Sequence, residues 1–198
     1  MFKRYVQDIM EMIPEGSRIL DLGCGRGELL HTLKVTKDVQ SVGMDISQEN
    51  VVASIAQGIS TIQGDIDAGL PAFPDKSFDY VILSQTLQVV RKPAKVLQEM
   101  VRVGQKAIVS VPNFGHWSLR AQILFKGRMP KNRTLGYEWY DTPNIHLASM
   151  KDVQILCEEQ KIQVLERKLY RSSGKPVCPI SLALGNLMAE TAVFVIQK

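Results

Sequence analysis

Cysteine is scarce in this chain, with three copies in 198 residues, at Cys24, Cys157 and Cys178. They are odd in number, far apart and form no Cys-x-x-Cys pair, which argues against a disulfide framework and a cysteine-based zinc site. No metal site is expected. Histidine is equally rare, so His31, His116 and His146 are the whole supply of imidazole bases. No uninterrupted apolar run approaches the ~20 residues of a membrane-spanning helix. The first eight residues, Met1-Phe-Lys-Arg-Tyr-Val-Gln-Asp8, carry charges where a signal peptide is apolar. A cytoplasmic protein without membrane contact is therefore expected. No Gly-x-Ser-x-Gly elbow is present, and Ser84 and Ser110 lack flanking glycines, so the chain should not itself carry out serine-based acyl transfer. Repeats, low-complexity tracts and composition breaks are missing too, and residues 1–198 read as one domain. At 45% hydrophobic content, that domain can bury a full core without disulfides or metal. The net charge of +4 permits nucleic-acid binding, but the basic residues are scattered and no nucleic-acid partner is expected. One cluster stands out, Lys126, Arg128, Lys131 and Arg133, which reads either as a partner or anion surface or as a solvated loop.

The most informative stretch is Arg18-Ile-Leu-Asp-Leu-Gly-Cys-Gly-Arg-Gly27. An apolar strand ends in an acid, glycines follow at 23, 25 and 27, and Glu28-Leu-Leu-His-Thr-Leu33 opens a helix. Strand, glycine turn and helix N-terminus form a nucleotide-type ligand site, because the glycines admit a ligand to the backbone and the helix amides can hold an anion. The spacing narrows the ligand. A dinucleotide loop needs Gly-x-Gly-x-x-Gly, and counted from Gly23 its last position is Glu28. A P-loop needs Gly-Lys-Ser/Thr, and Arg26-Gly27-Glu28 does not supply it. Asp21, Asp45 and Asp65 each follow an apolar run, and three acids near one ligand repel a pyrophosphate. They tolerate a ligand with sulfonium and ammonium charges, S-adenosylmethionine, whose single carboxylate can sit at the helix N-terminus. Cys24, inside the loop, reads as steric filling.

Apolar periodicity supplies the rest of the architecture. Phe2, Tyr5, Val6, Ile9, Met10 and Ile13 fall at helical spacing and predict a helix over 2–13. Strands are expected at about 18–22, 41–45, 61–63, 78–84 and 107–111, with helices at about 48–57, capped by Ser47 and ended by Gly58, and from Pro93 to about Arg102. This alternation argues for a parallel, doubly wound α/β sheet, whose ligands bind beyond the carboxyl ends of the strands. Residues 113–148 lack clear periodicity and hold His116, Trp117, Trp139, Tyr140 and His146. The three aromatic residues can line a substrate pocket, anchor a protein partner or pack the segment onto the sheet. Ser149, with Asp152 three residues on, predicts a capped helix to about Gln160, followed by strands near 162–170 and 192–196.

The order Asp21, Gly23, Gly25, Gly27, then Asp45 and Gly64-Asp65-Ile66 resembles the class I S-adenosylmethionine-dependent methyltransferases. The resemblance implies their three-layer Rossmann-like fold, a mostly parallel seven-stranded sheet with an antiparallel last strand. It implies a ribose-binding role for Asp45 and places Asp65 by the adenine. The implied cofactor-binding set is Asp21, Gly23, Cys24, Gly25, Gly27, Asp45, Ile46, Asp65, Ile66 and Ser84, for S-adenosylmethionine or S-adenosylhomocysteine. Methyl transfer to oxygen or carbon usually needs a base. His116 and His146 are the candidate catalytic residues, and the alternative is that they bond loop backbone or face solvent. Leu83-Ser-Gln-Thr-Leu-Gln88, Ser110-Val-Pro-Asn-Phe-Gly-His-Trp117 and Tyr137-Glu-Trp-Tyr-Asp-Thr-Pro-Asn-Ile-His-Leu147 resemble, more specifically, the bacterial methionine biosynthesis protein MetW family. That likeness covers roughly residues 5–170. It implies an accessory partner of homoserine O-acyltransferase; the alternative is an active methyltransferase on an unknown small substrate.

Overall fold

The computed structural model describes residues 3–131, 136–171, 173–178 and 181–198; Met1, Phe2 and Arg133, named above, lie outside the described residues. Its strands are β1 (Arg18–Leu22), β2 (Gln40–Asp45), β3 (Ser60–Gln63), β4 (Phe78–Ser84), β5 (Gly104–Pro112), β6 (Gln163–Tyr170) and β7 (Thr191–Gln197). They form one seven-stranded sheet in the order β3-β2-β1-β4-β5-β7-β6. β1 to β5 are parallel. β7 runs antiparallel between β5 and β6, as expected of the last strand. The chain winds outward from β1 to β3, then returns to the other side of β1 with β4. That reversal opens a crevice at the carboxyl ends of β1 and β4.

The described residues form seven α-helices around the sheet: α1 (Arg4–Met12), α2 (Glu28–Lys37), α3 (Gln48–Ala56), α4 (Pro93–Val103), α5 (Trp117–Lys126), α6 (Met150–Glu159) and α7 (Leu182–Met188). Successive strand residues point to opposite faces, so the unbroken apolar runs of the inner strands feed two cores. Ile19, Ile82, Ile108 and Val193 pack with Ile9 of α1 and with Leu30 and Leu33 of α2. Their neighbours Leu20, Val81, Val109 and Phe194 pack with Leu97 and Met100 of α4 and Val153 of α6. A strand buried on both faces has no use for polar alternation, which explains the sequence of β4. Among the described residues, no helix is long and apolar enough to cross a membrane.

The capping signals act as the sequence predicts. Ser47 accepts a bond from the Asn50 amide, Gly58 takes φ +77°, and Ser149 and Asp152 form a reciprocal capping box. Two elements depart from the expectation. β5 begins at Gly104 rather than near residue 107, directly after α4, because Gly104 and Lys106 pair with Phe78 and Tyr80 through backbone alone. α5 has no counterpart in the sequence reading. It buries only Leu119, while Ile123, Leu124 and Phe125 are exposed, so its apolar residues trace no single stripe.

Asn113, in the stretch after β5, ties the far end of the fold together. Its Nδ2 donates to the carbonyls of Asn186 and Ala189 at 2.8 and 2.7 Å. Its Oδ1 accepts from the amides of Gly115 and Met150 at 2.9 and 3.1 Å. Arg102 pins the loop between β3 and β4 through the Leu70 and Phe73 carbonyls and the Asp75 carboxylate, its guanidinium held also by Glu99 of the same helix.

Ile82, wholly buried on β4 between β1 and β5, tests the two-core arrangement. Ile82→Ala should lower the unfolding free energy by about 2–5 kcal/mol, read as a shift of the urea midpoint at unchanged slope. A loss below about 1 kcal/mol would be the level of an ordinary surface change and would contradict this packing.

Candidate functional site

β1 delivers Asp21 to the carboxyl end of the sheet, paired with Gly43 of β2 and Ile82 of β4 and only 3% exposed. The glycine loop then folds back over β2, where the Met44 carbonyl accepts from the amides of Gly23 and Cys24 at 2.7 and 3.1 Å. Gly25, at φ +57°, has open space where a side chain would stand, which leaves its backbone approachable. Gly27, at φ +80°, is different: a Cβ there would collide with Ser54 of α3. It starts α2 with no side-chain cap, so the first-turn amides of that helix remain available to an anion.

Asp45 ends β2 and holds the loop. Its Oδ2 accepts from the Gly25 amide at 2.8 Å, and its Oδ1 accepts from the Ser47 amide at 2.9 Å and Asn50 Nδ2 at 3.1 Å. Asp21 has no such support. Its Oδ1 is buried without a hydrogen-bond partner, and burial first, then the charge of Asp45, pushes its carboxyl up to about 8. Cys24 packs on β2, with its Sγ 2.7 Å from where a Gly43 Cβ would lie. Burial, then the charges of Asp21 and Asp45, push its thiol up to about 12, so it stays protonated and serves as filler.

Two hollows meet at Gly23. One, of about 260 Å³, is lined by Gly23, Asp45, Ile46, Gly64, Asp65, Ile66, Asp67, Thr86, Val89 and Val90. The other, of about 400 Å³, is lined by Val6, Asp21, Gly23, Cys24, Gly25, Arg26, Glu28, Leu29, Asn50 and Ser84. The first has aliphatic walls and an acidic floor; the second exposes the loop backbone beside Asp21. Nine of the ten residues named for the cofactor from sequence line one or the other, and Gly27 alone stands back in the packing against α3. Asn50, Thr86, Val89, Val90 and Val6 went unnamed. Asn50 had a signal, lying one helical turn past the cap Ser47. Nothing local marks Val6, which arrives on α1, the helix that precedes β1.

The histidines lie elsewhere. His116 is the N-cap of α5, its Nδ1 2.8 Å from Ser118 Oγ and accepting from the Ser118 amide. Burial holds its ring below the ordinary imidazole value, and it lines neither hollow. His146 borders a separate cavity of about 170 Å³ with Leu87, Gln88, Val111, Ala148 and Val153, and its Nε2 is buried without a partner there. His31 lies exposed on α2, with Nδ1 3.1 Å from the Gln57 carbonyl. Among the described residues, no group of histidine, cysteine and acidic side chains is placed to hold a metal.

Sheet order, reversed β7 and the acid-lined crevice together define the methyltransferase type of Rossmann-like fold. A solved SAM-dependent methyltransferase from Archaeoglobus fulgidus superposes with a TM-score of 0.71 at 17% identity, covering 99% of this chain and 92% of that one. The [4+2]-cyclase SpnF matches equally well, at 0.71 and 16% identity over 99% of this chain and 80% of its own. The fold therefore does not assign a reaction. The family model described as methionine biosynthesis protein MetW matches residues 3–196. The bifunctional methionine biosynthesis protein MetXA/MetW of Rhodopirellula baltica is 37% identical over 202 residues, covering 97% of this chain and 32% of that protein. The chain belongs to the methionine biosynthesis protein MetW family. It spans between 31% and 56% of the length of the curated relatives it matches.

Asp21 carries a pH signature. Its carboxyl rises from 3.8 unfolded to about 8 folded, so the folded state holds the proton more tightly. Its contribution to stability is complete below about pH 4 and is lost as the pH climbs through about 8. Asp21→Asn should therefore melt increasingly above the wild type as pH rises across that window. For a chain of this size each kcal/mol of relief is worth roughly 2–4 °C. A melting difference that stays constant from pH 5 to pH 9 would show that Asp21 does not titrate in this range.

Proposed function

We propose that this chain binds S-adenosylmethionine or S-adenosylhomocysteine in the two joined hollows and acts in the cytoplasm as an accessory subunit of homoserine O-acyltransferase. In this reading Asp45 accepts the ribose hydroxyls, and Ile46, Ile66, Val89 and Val90 flank the adenine beside Asp65. Asp21 faces the cationic end of the ligand, and the uncapped amides of α2 take its carboxylate. The fit rests on the unpartnered Asp21 oxygen: a buried acid that titrates near neutrality gains a counter-charge when a sulfonium or ammonium arrives. A pyrophosphate at the same place would meet Asp21, Asp45 and Asp65 together, so NAD is a poor occupant.

The partnership is carried by one observation. The relative from Rhodopirellula baltica is named for a MetXA part and a MetW part on a single chain. We read its MetXA part as the acyltransferase. Joining two modules covalently raises their effective concentration and preserves an association that separate chains make by affinity. The missing nucleophile elbow agrees, since a chain unable to transfer the acyl group can serve that step only through a partner.

A second reading, a methyltransferase acting on a small substrate, draws on His146, which borders an apolar cavity and whose Nε2 is buried without a partner. Bound adenosylmethionine supplies an electrophilic methyl group, and His146, or His116 from the edge of α5, would take the acceptor's proton.

In calorimetry, Asp45→Ala should weaken adenosylhomocysteine binding by at least tenfold, since each lost bond to a charged acceptor is worth about 1.5–3 kcal/mol. The melting point of the ligand-free variant reports the loosened loop separately. Equal affinity would remove Asp45 from the site, and displacement of the ligand by micromolar NAD would refute the acid-lined pocket. For the partnership, the chain and the acyltransferase should co-elute at tens of micromolar and the acyl-transfer rate should change when the chain is added. Separate elution with an unchanged rate sinks the accessory role. Methyl transfer that disappears in His146→Gln while ligand affinity holds would favour the second reading.

A further inference from the structure

We infer that the acyltransferase docks on the aromatic face built by α5 and residues 136–147, and that this contact is coupled to the adenosyl ligand through the 3₁₀ turn Leu87–Val89. The inference rests on the partnership proposed above. Leu124, Phe125 and Trp139 are 76%, 82% and 72% exposed. Single exposed apolar residues are ordinary, but here Trp117, Ile123, Met129, Tyr137, Tyr140 and Ile145 are exposed on the same helix and the segment that follows it. The segment after α5, tied to that helix by the Lys131 amide donating to Gln122 Oε1 at 3.1 Å, forms with Phe114 a groove of about 180 Å³, walled by Phe114, Met129, Tyr137, Trp139, Ile145 and Leu147. It offers a seat for one apolar anchor side chain, the usual centre of a protein interface.

Charge selects the occupant. Lys126, Arg128 and Lys131 border the face and all are exposed. A second copy in a two-fold contact would set the same basic border against itself. An anionic lipid surface would meet Glu138 and Asp141 among the aromatics; Glu138 already binds Lys131 at 2.7 Å. A protein that presents an apolar anchor inside an acidic border suits the face better than either.

Two hydrogen bonds supply the route for the coupling. The amides of Ile145 and His146 donate to the Gln88 carbonyl at 2.9 and 3.0 Å. Gln88 is the middle residue of the turn Leu87–Val89, and Val89, with Thr86 and Val90, lines the adenosyl hollow. The adenosyl hollow and the proposed docking segment thus share one three-residue turn, and a coupling through it changes both affinities by the same factor.

The test measures the dissociation constant between the full chain and the acyltransferase, with and without adenosylhomocysteine, for the wild type, Phe125→Asp and Trp139→Ala. Each variant should weaken the complex by about tenfold or more while keeping its melting point and its adenosylhomocysteine affinity. Saturating adenosylhomocysteine should change the wild-type constant by about fivefold, within the usual range of such couplings, and the partner should change the ligand's constant equally. Higher salt should slow association more than it speeds dissociation. If both variants bind like the wild type, the face is wrong while the partnership stands. If the chain alone self-associates in sedimentation, or binds phosphatidylglycerol vesicles, and Phe125→Asp abolishes that, the assigned occupant is wrong. A complex indifferent to a ligand that binds overturns the coupling. No complex with the wild type is a failure of the proposed function itself and is recognised without any variant.

Discussion

The carboxylate of Asp45 is the constraint on which the site depends. One side chain takes donors from the glycine loop at Gly25, from the turn at Ser47 and from α3 at Asn50. It fixes the loop to the end of β2 and opens the floor of the hollow that runs on to Asp65. A charged acceptor with three donors is a strong anchor, because hydrogen bonds to ionised groups exceed neutral ones. Beside it, burial first and the Asp45 charge second raise the carboxyl of Asp21. The site thus holds one acid satisfied by backbone and one left without a partner. That asymmetry favours a cationic ligand over a phosphorylated one.

Much of this was legible in the residues because local rules and the global fold agree there. Acid, glycine spacing and helix start are contiguous between 18 and 33, and the caps at Ser47 and Ser149 are short-range signals that need no tertiary context. β4 announced itself because both its faces are covered. What escaped depends on contacts distant in sequence. α5 shows no apolar stripe, since most of its apolar residues face outward. The start of β5 is held by backbone pairing that polar Gly104-Gln-Lys106 does not advertise. Asn113 looked like one letter of a family-like stretch, yet its four bonds reach residues up to 76 positions away. His116, named from its position beside aromatics, caps a helix that the sequence reading did not contain.

The adenosyl reading draws on the carboxyl ends of β1 to β3, where Asp21, Asp45 and Asp65 meet the glycine loop. The partner reading draws on surface that the core does not need: an exposed aromatic helix and segment in a protein otherwise able to cover its sheet. A methyltransferase-type fold also hosts a cyclase, so a member that serves another enzyme's step asks nothing unusual of it.

The adenosyl site is the central claim, since both the accessory role and the coupling presuppose it. The most direct test is a crystal structure of the chain grown with adenosylhomocysteine. The account predicts the ribose hydroxyls on the Asp45 carboxylate and the adenine between Ile46 and Ile66 beside Asp65. A nucleoside bound elsewhere, or crystals grown in saturating ligand that leave Asp45 and Asp65 without it, would contradict the account.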